Sequence, residues 1–252
     1  MTQKGVALYA EQWGETGERV VLIHGAGANG ASSFRAQQPL AARWRLIIPD
    51  RPGHGRSPDI GARDFEQDAP HIAALFGEEG AHVVGHSYGG VVALYAAALR
   101  PEAVKSLAVI EPPIFSPLFP HPAITAMRAA LEEVWTVTDR EAFLRRFSAL
   151  AAGEENLLPP PPLPERLLAL SDDIRALRPP AEAIVPPALL TAPFRRLVIS
   201  GGHSAAYDAV ADAVAERIGA ARLVIPGAKH AVQETGAPFN DAIERFWRGE
   251  TP

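Results

Sequence analysis

Six short runs of aliphatic and β-branched residues set the tightest limit on how this chain can fold. Residues 19–24 (RVVLIH), 45–49 (RLIIP), 81–85 (AHVVG), 105–110 (KSLAVI), 195–200 (RRLVIS) and 221–226 (ARLVIP) are apolar through their centres rather than alternating. That is the pattern of strands buried on both faces of a parallel sheet. Parallel neighbours require a crossover, and residues 87–100, 207–218 and 238–247 carry helical spacing long enough to supply one. The expected fold is α/β, a doubly wound and mostly parallel sheet, with ligands at the carboxyl ends of its strands.

Glycine and proline divide the chain a second way. Residues 112–193 hold 15 of the 24 prolines but a single glycine, Gly153. This segment lacks strand runs and has three sets at helical spacing: Ile124, Met127, Leu131 and Val134; Phe143, Phe147 and Leu150; and Leu167, Leu170, Ile174 and Leu177. Prolines divide it into short helices. The expected organisation is a core from residues 1–111 and 194–252, interrupted by a helical, proline-rich cap at 112–193. Within the cap, residues 158–164 (LPPPPLP) read as a stiff connector, in preference to a polyproline ligand for another protein.

Composition removes several classes of function. With no cysteine, disulfide scaffolds and thiolate metal sites are excluded. A formal charge of −5 offers no basic surplus for nucleic acid or an anionic membrane surface. Residues 1–14 lack the basic-then-apolar pattern of a secretory leader, and no apolar stretch would span a bilayer, so a soluble, cytoplasmic protein is expected. The sequence leaves the oligomeric state open.

The third run ends in Gly85-His86-Ser87-Tyr88-Gly89-Gly90, and a helical stretch follows at once. A nucleophile on so sharp a strand-to-helix turn is exposed, and the positions two away must be small because chain segments crowd there. The turn also puts Ser87 at a helix N-terminus, where developing negative charge is favoured. A serine hydroxyl is a weak nucleophile, so this reading needs a base, an acid and oxyanion donors. His230 follows the last run, at the same edge of the sheet, and is the expected base. The backbone N–H of Tyr88 is one oxyanion donor, and that of Ala26, in the loop after the first run, is the second.

His24-Gly25, then Asp50-Arg51-Pro52-Gly53-His54-Gly55-Arg56-Ser57, then the serine turn and the closing Gly227 to His230 fall in an order that resembles the α/β-hydrolase superfamily. The resemblance covers nearly the whole chain. It implies that residues 112–193 are the lid and that His24 and His54 mainly shape loops. It also exposes a departure: most members carry an aspartate in a Gly-x-x-Asp arrangement after the strand that follows the lid, where this chain has Ser200-Gly201-Gly202-His203-Ser204. A minority, haloalkane dehalogenases among them, take the acid from the end of the strand after the nucleophile. Here that position is Glu111, with Asp208 as the alternative.

Gly25-Ala26-Gly27-Ala28-Asn29-Gly30 also matches a dinucleotide fingerprint, with Asp50 at the end of the next run. An NAD(P)-binding oxidoreductase would leave Ser87 and His230 unexplained. A non-catalytic receptor or scaffold relative is a further alternative, and so are carbon–carbon hydrolase, perhydrolase and hydroxynitrile lyase chemistries. The dehalogenase and epoxide hydrolase branches resemble the chain but use aspartate as nucleophile. The expectation is a cofactor- and metal-independent serine hydrolase acting on a small to medium, fairly apolar carboxylic ester, with lactone or thioester as variants. Ile114, Phe115, Leu118, Phe119, Met127 and Trp135 are candidates for the apolar pocket.

Overall fold

The structure is a computed structural model that describes residues 6–61, 63–153 and 158–251. The first five residues, part of the stretch read for a leader, lie outside the described residues. Seven strands form one sheet in the order β1-β3-β2-β4-β5-β6-β7. They are β1 (Ala10–Trp13), β2 (Arg19–Ile23), β3 (Arg45–Pro49), β4 (Ala81–His86), β5 (Val104–Ile110), β6 (Arg195–Ser200) and β7 (Ala221–Val224). All neighbours pair in parallel except β1, which runs antiparallel to β3.

Strand side chains alternate between two apolar layers. Val21, Ile23, Val83, Leu107, Val109 and Val198 face α2 (Phe65–Ala73), α3 (Tyr88–Leu99) and α7 (Ala205–Ile218). Val20, Leu22, Val84, Ala108, Ile110 and Ile199 face the other way, toward Phe239, Ile243, Phe246 and Trp247 of α8 (Ala237–Arg248). Helices on both faces explain why the central runs are continuously apolar. The fold class is as expected, a doubly wound α/β sheet.

Two strands depart from the sequence reading. The run at 221–226 was expected to be buried on both faces, yet β7 is partly or fully exposed along its length because it is an edge strand. β1 escapes the run-based reading altogether, since its Ala-Glu-Gln-Trp has no apolar run and serves only as the opposite edge.

Between β5 and β6 lie α4 (Pro122–Trp135), α5 (Arg140–Ala152) and α6 (Glu165–Ala176), with no strand among the described residues of that segment. They follow the three periodic sets; Ile124, Met127 and Leu131 of α4 pack with the core layer of α3 and α7, while Val134, Phe143, Leu144, Leu163 and Ile174 form a separate cluster. The proline tract is fastened to α5: Glu141 Oε2 accepts the Leu163 N–H at 3.0 Å, and Arg145 donates to the Pro159 carbonyl at 2.7 Å. Ion pairs tie the inserted helices to the core, Arg63 to Asp173 at 3.1 Å and Arg178 to Asp64 at 3.3 Å and Glu66 at 3.1 Å.

Candidate active site

Ser87 stands between β4 and α3 with φ 53° and ψ −126°. Such a backbone costs an L-residue on the order of 1–3 kcal/mol, and the surroundings must enforce it. They do so by crowding. A Cβ on Gly85 would lie 2.3 Å from the Gly89 carbonyl oxygen, and one on Gly89 would lie 2.4 Å from the carbonyl oxygens of Ile23 and His24. The serine N–H donates to the Ile110 carbonyl at 2.8 Å, fixing the turn to the neighbouring strand end. Among the described residues, the only other non-glycine residue with positive φ is Glu111, at 44°. It sits just past β5, and its N–H donates to the Ile199 carbonyl at 2.9 Å.

The loop after β7 places His230 between these two residues. His230 Nε2 is 2.9 Å from Ser87 Oγ, and Nδ1 is 2.7 Å from Glu111 Oε2. A carboxylate can only accept, so Nδ1 carries a proton, and in the neutral ring Nε2 accepts from the Ser87 hydroxyl. Glu111 is fully buried. Burial alone would raise its pKa, but contacts with His203 and His230 and the Gly201 N–H, 2.8 Å from Oε1, hold it at about 2. The side chain therefore stays ionised inside the protein.

Asp208, the alternative acid, is not brought to His230. Its Oδ1 accepts from Ser200 Oγ and, at 3.2 Å, from Arg222. His86 is an addition the sequence did not single out. Its Nε2 donates to the His230 carbonyl at 3.0 Å, and the two rings lie 4.8 Å apart. Desolvation, the largest cause, and the neighbouring His230 push the His86 pKa down to about 3, so it acts as a neutral donor that holds the backbone of His230.

The loop after β2 forms the facing wall. A Cβ on Gly25 would come within 3.0 Å of Ser87 Cβ, so this loop passes directly over the serine. The Gly25 carbonyl is held by His24 Nδ1 at 2.8 Å and by Arg51 at 3.3 Å. In a trans peptide the following N–H points the opposite way, so anchoring this carbonyl sets the direction of the Ala26 N–H. The N–H of Tyr88, in the first turn of α3, has no intrahelical acceptor. Both residues line the cavity beside Ser87. Two such donors on one side of a nucleophile can hold an oxyanion.

His24 and His54 support loops. His24 accepts the Arg51 N–H at 2.9 Å and His54 donates to the Pro52 carbonyl at 2.9 Å. Desolvation first, then Arg51, keeps both uncharged, with the His54 pKa at about 3. Arg51 itself is buried and paired to Asp68 at 2.7 Å, its guanidinium 4.8 Å from the Tyr88 ring. Asp50, which a dinucleotide site would leave free for a ribose, accepts the N–H groups of Gly30 and Arg56, each at 2.9 Å. The helix that the fingerprint should open, α1 (Gly30–Ser33), is a single turn.

A cavity of about 580 Å³ opens over Ser87 and His230. One wall is apolar and comes mostly from the inserted helices, through Met127, Leu131, Trp135, Leu144, Phe147 and Ile174. The other is polar, with Ser33, Lys229, Gln233, Glu234 and Thr235. Of the six pocket candidates, Phe115, Met127 and Trp135 line it. Ile114 is instead packed in the core, Leu118 is 68% exposed, and Phe119 packs against the core without reaching the cavity. Periodicity could not separate these positions, because packing and lining residues share one helical face. Among the described residues, no group of three or more His, Asp or Glu is placed to hold a metal, and no helix is long and apolar enough to cross a membrane.

Comparison with known proteins follows from this geometry. A model of the alpha/beta hydrolase family matches residues 20–242. A pimeloyl-[acyl-carrier protein] methyl ester esterase of Chromobacterium violaceum is 38% identical over 151 residues, 57% of this chain and 56% of that protein. Lipase LipV of Mycobacterium tuberculosis is 35% identical over 113 residues, 43% of each. The matches thus span about half the length of these curated relatives. A bromoperoxidase from Bacillus anthracis superposes with a TM-score of 0.73 at 24% identity, over 96% of this chain and 95% of that one.

Proposed function

The chain belongs to the α/β-hydrolase family, and on that premise we propose that it is a serine hydrolase cleaving small to medium, fairly apolar carboxylic esters through an acyl-enzyme on Ser87. The observation that carries this reading is the unbroken chain from Ser87 Oγ through His230 to a buried, ionised Glu111, with contacts of 2.9 and 2.7 Å. Similarity to proteins named as an esterase and a lipase supports the ester bond as the target. The cavity supports an apolar acyl group, since the inserted helices present hydrocarbon and aromatic side chains to it.

In the proposed reaction His230 Nε2 takes the proton from Ser87 Oγ as the oxygen attacks the ester carbonyl. The N–H groups of Ala26 and Tyr88 hold the resulting oxyanion. His230 then gives the proton to the departing alkoxide oxygen, leaving the acyl group on serine. Water attacks the acyl-enzyme by the same route and the free acid leaves. Glu111 stays ionised throughout and stabilises the imidazolium that forms at each step. The inserted segment, residues 112–193, acts as the cap that selects the acyl group, and no cofactor enters the reaction.

The test is labelling with a fluorophosphonate probe followed by hydrolysis of p-nitrophenyl esters of increasing acyl length. The expected result is a single adduct on Ser87 and turnover of the esters. An unlabelled Ser87 in folded protein would overturn the proposal and favour a receptor or scaffold. Labelling without turnover of any ester would favour carbon–carbon hydrolase, lyase or perhydrolase chemistry.

A further inference from the structure

The turn after β6 holds a histidine that the proposed reaction does not use. Gly201 and Gly202 allow this turn: a Cβ on Gly201 would lie 2.7 Å from the Lys229 carbonyl oxygen, and Gly202 has φ 68°. The tight path aims the Gly201 N–H at Glu111 Oε1 and brings the next side chain, His203, against the same oxygen, with Nδ1 3.3 Å away. The His203 side chain is only 11% exposed, yet neither ring nitrogen completes a hydrogen bond. A buried imidazole in that state is expensive unless it finds a partner, and Glu111 Oε1 is within reach.

The groups around His203 come from several elements. They are Glu111 at the end of β5, His230 with its ring centroid 6.4 Å away, and Tyr207 on α7 at 5.6 Å. From the inserted segment, Gly153 packs so closely on the ring that a Cβ there would lie 2.9 Å from Cδ2. Tyr207 also lies 4.6 Å from His230, and burial raises its pKa, so it stays neutral. Among the described residues named here, Glu111 is the one that carries negative charge.

We propose that His203 is a positioning residue: its Nδ1–H donates to Glu111 Oε1 and, with the Gly201 N–H, fixes the carboxylate so that Oε2 points at His230. The turn after β6 thus supplies a donor that steadies a carboxylate on the adjacent strand. Contact with Gly153 places the inserted segment directly on that donor, so the end of α5 bears on the acid through a single side chain. The proposal rests on the reading of Ser87, His230 and Glu111 given above.

His203→Phe keeps bulk and removes the donor, whereas His203→Asn keeps an N–H near the place of Nδ1. The experiment is proton NMR of the His230 Nδ1 proton without substrate, together with kcat, KM and the pH–rate profile on a p-nitrophenyl ester. With the second donor gone, negative charge concentrates on Oε2. The Nδ1 proton of His203→Phe should move downfield, kcat should fall about tenfold or more with KM nearly unchanged, and the acidic limb should shift to higher pH. His203→Asn should return all three toward the parent. An unmoved proton resonance in folded His203→Phe, or an Asn variant that behaves like the Phe variant, would overturn the proposal. Because the resonance is read without substrate, it decides the role of His203 even if no ester is turned over.

Discussion

Replacing Glu111 with glutamine tests the site most sharply, because shape is kept while one hydrogen-bond pattern becomes impossible. The carboxylate receives His230 Nδ1–H on Oε2 and the Gly201 N–H on Oε1. An amide offers one acceptor oxygen, so its NH2 must face one of these donors. If it faces His230, the ring must adopt the other tautomer and presents Nε2–H to Ser87, where a base is needed. If it faces Gly201, two buried donors oppose each other at a cost of about 1–3 kcal/mol. Either way the negative charge that stabilises the imidazolium is gone. The loss expected for kcat is on the order of 10³–10⁴, the size seen when a triad acid is neutralised.

Stability should change with it. A carboxyl whose pKa lies at about 2 in the folded protein and near 4.5 when unfolded contributes roughly 3 kcal/mol to the folded state. Because the folded value is the lower one, that contribution is complete above about pH 4.5 and disappears as the pH falls toward 2. Urea unfolding of parent and Glu111→Gln should therefore differ most near pH 7, and the part of the difference due to this charge should fall to less than half by pH 3. The reasoning fails if kcat/KM on a p-nitrophenyl ester stays within about tenfold of the parent, or if the stability difference is the same at both pH values.

Ser87→Ala and His230→Ala should each lower kcat by about three or more orders of magnitude in a steady-state assay, and Ser87→Ala should also abolish fluorophosphonate labelling. Lengthening the acyl chain should raise kcat/KM by roughly fourfold per methylene, the equivalent of about 0.8 kcal/mol, until the cavity is full. A flat series would refute an apolar acyl pocket. Arg51→Leu leaves Asp68 buried without its partner and should cost about 3–5 kcal/mol in urea unfolding, and the double change with Asp68→Leu should recover much of that loss.

The sheet was readable in the sequence wherever a strand is covered on both faces, since burial writes a continuous apolar run. It was least readable at the edges. β1 has no such run and no fully buried residue, while β7 has a strand-like sequence with more exposure than its composition suggests. α2 was not anticipated either, in keeping with the proline at position 70 inside it. In the site, Ser87 and Glu111 announced themselves through local pattern, a glycine-flanked turn and a charge at the end of an apolar strand. His86, His203 and Tyr207 did not, because their importance comes from neighbours far away in sequence, as with His86 and the carbonyl of His230. The one available hint for His203 was a histidine directly after two glycines at a strand end.

The two left-handed residues, Ser87 and Glu111, stand at the ends of adjacent strands; a backbone hydrogen bond from Ser87 to Ile110 links the two strand ends, and one from Glu111 to Ile199 ties the second to β6. Both precede residue 112. The proposed nucleophile and acid thus both lie upstream of the segment that walls the cavity, and His230 lies downstream of it. On the proposed roles, a change within residues 112–193 can reshape the cavity wall while leaving the backbone turns of Ser87 and Glu111 in place.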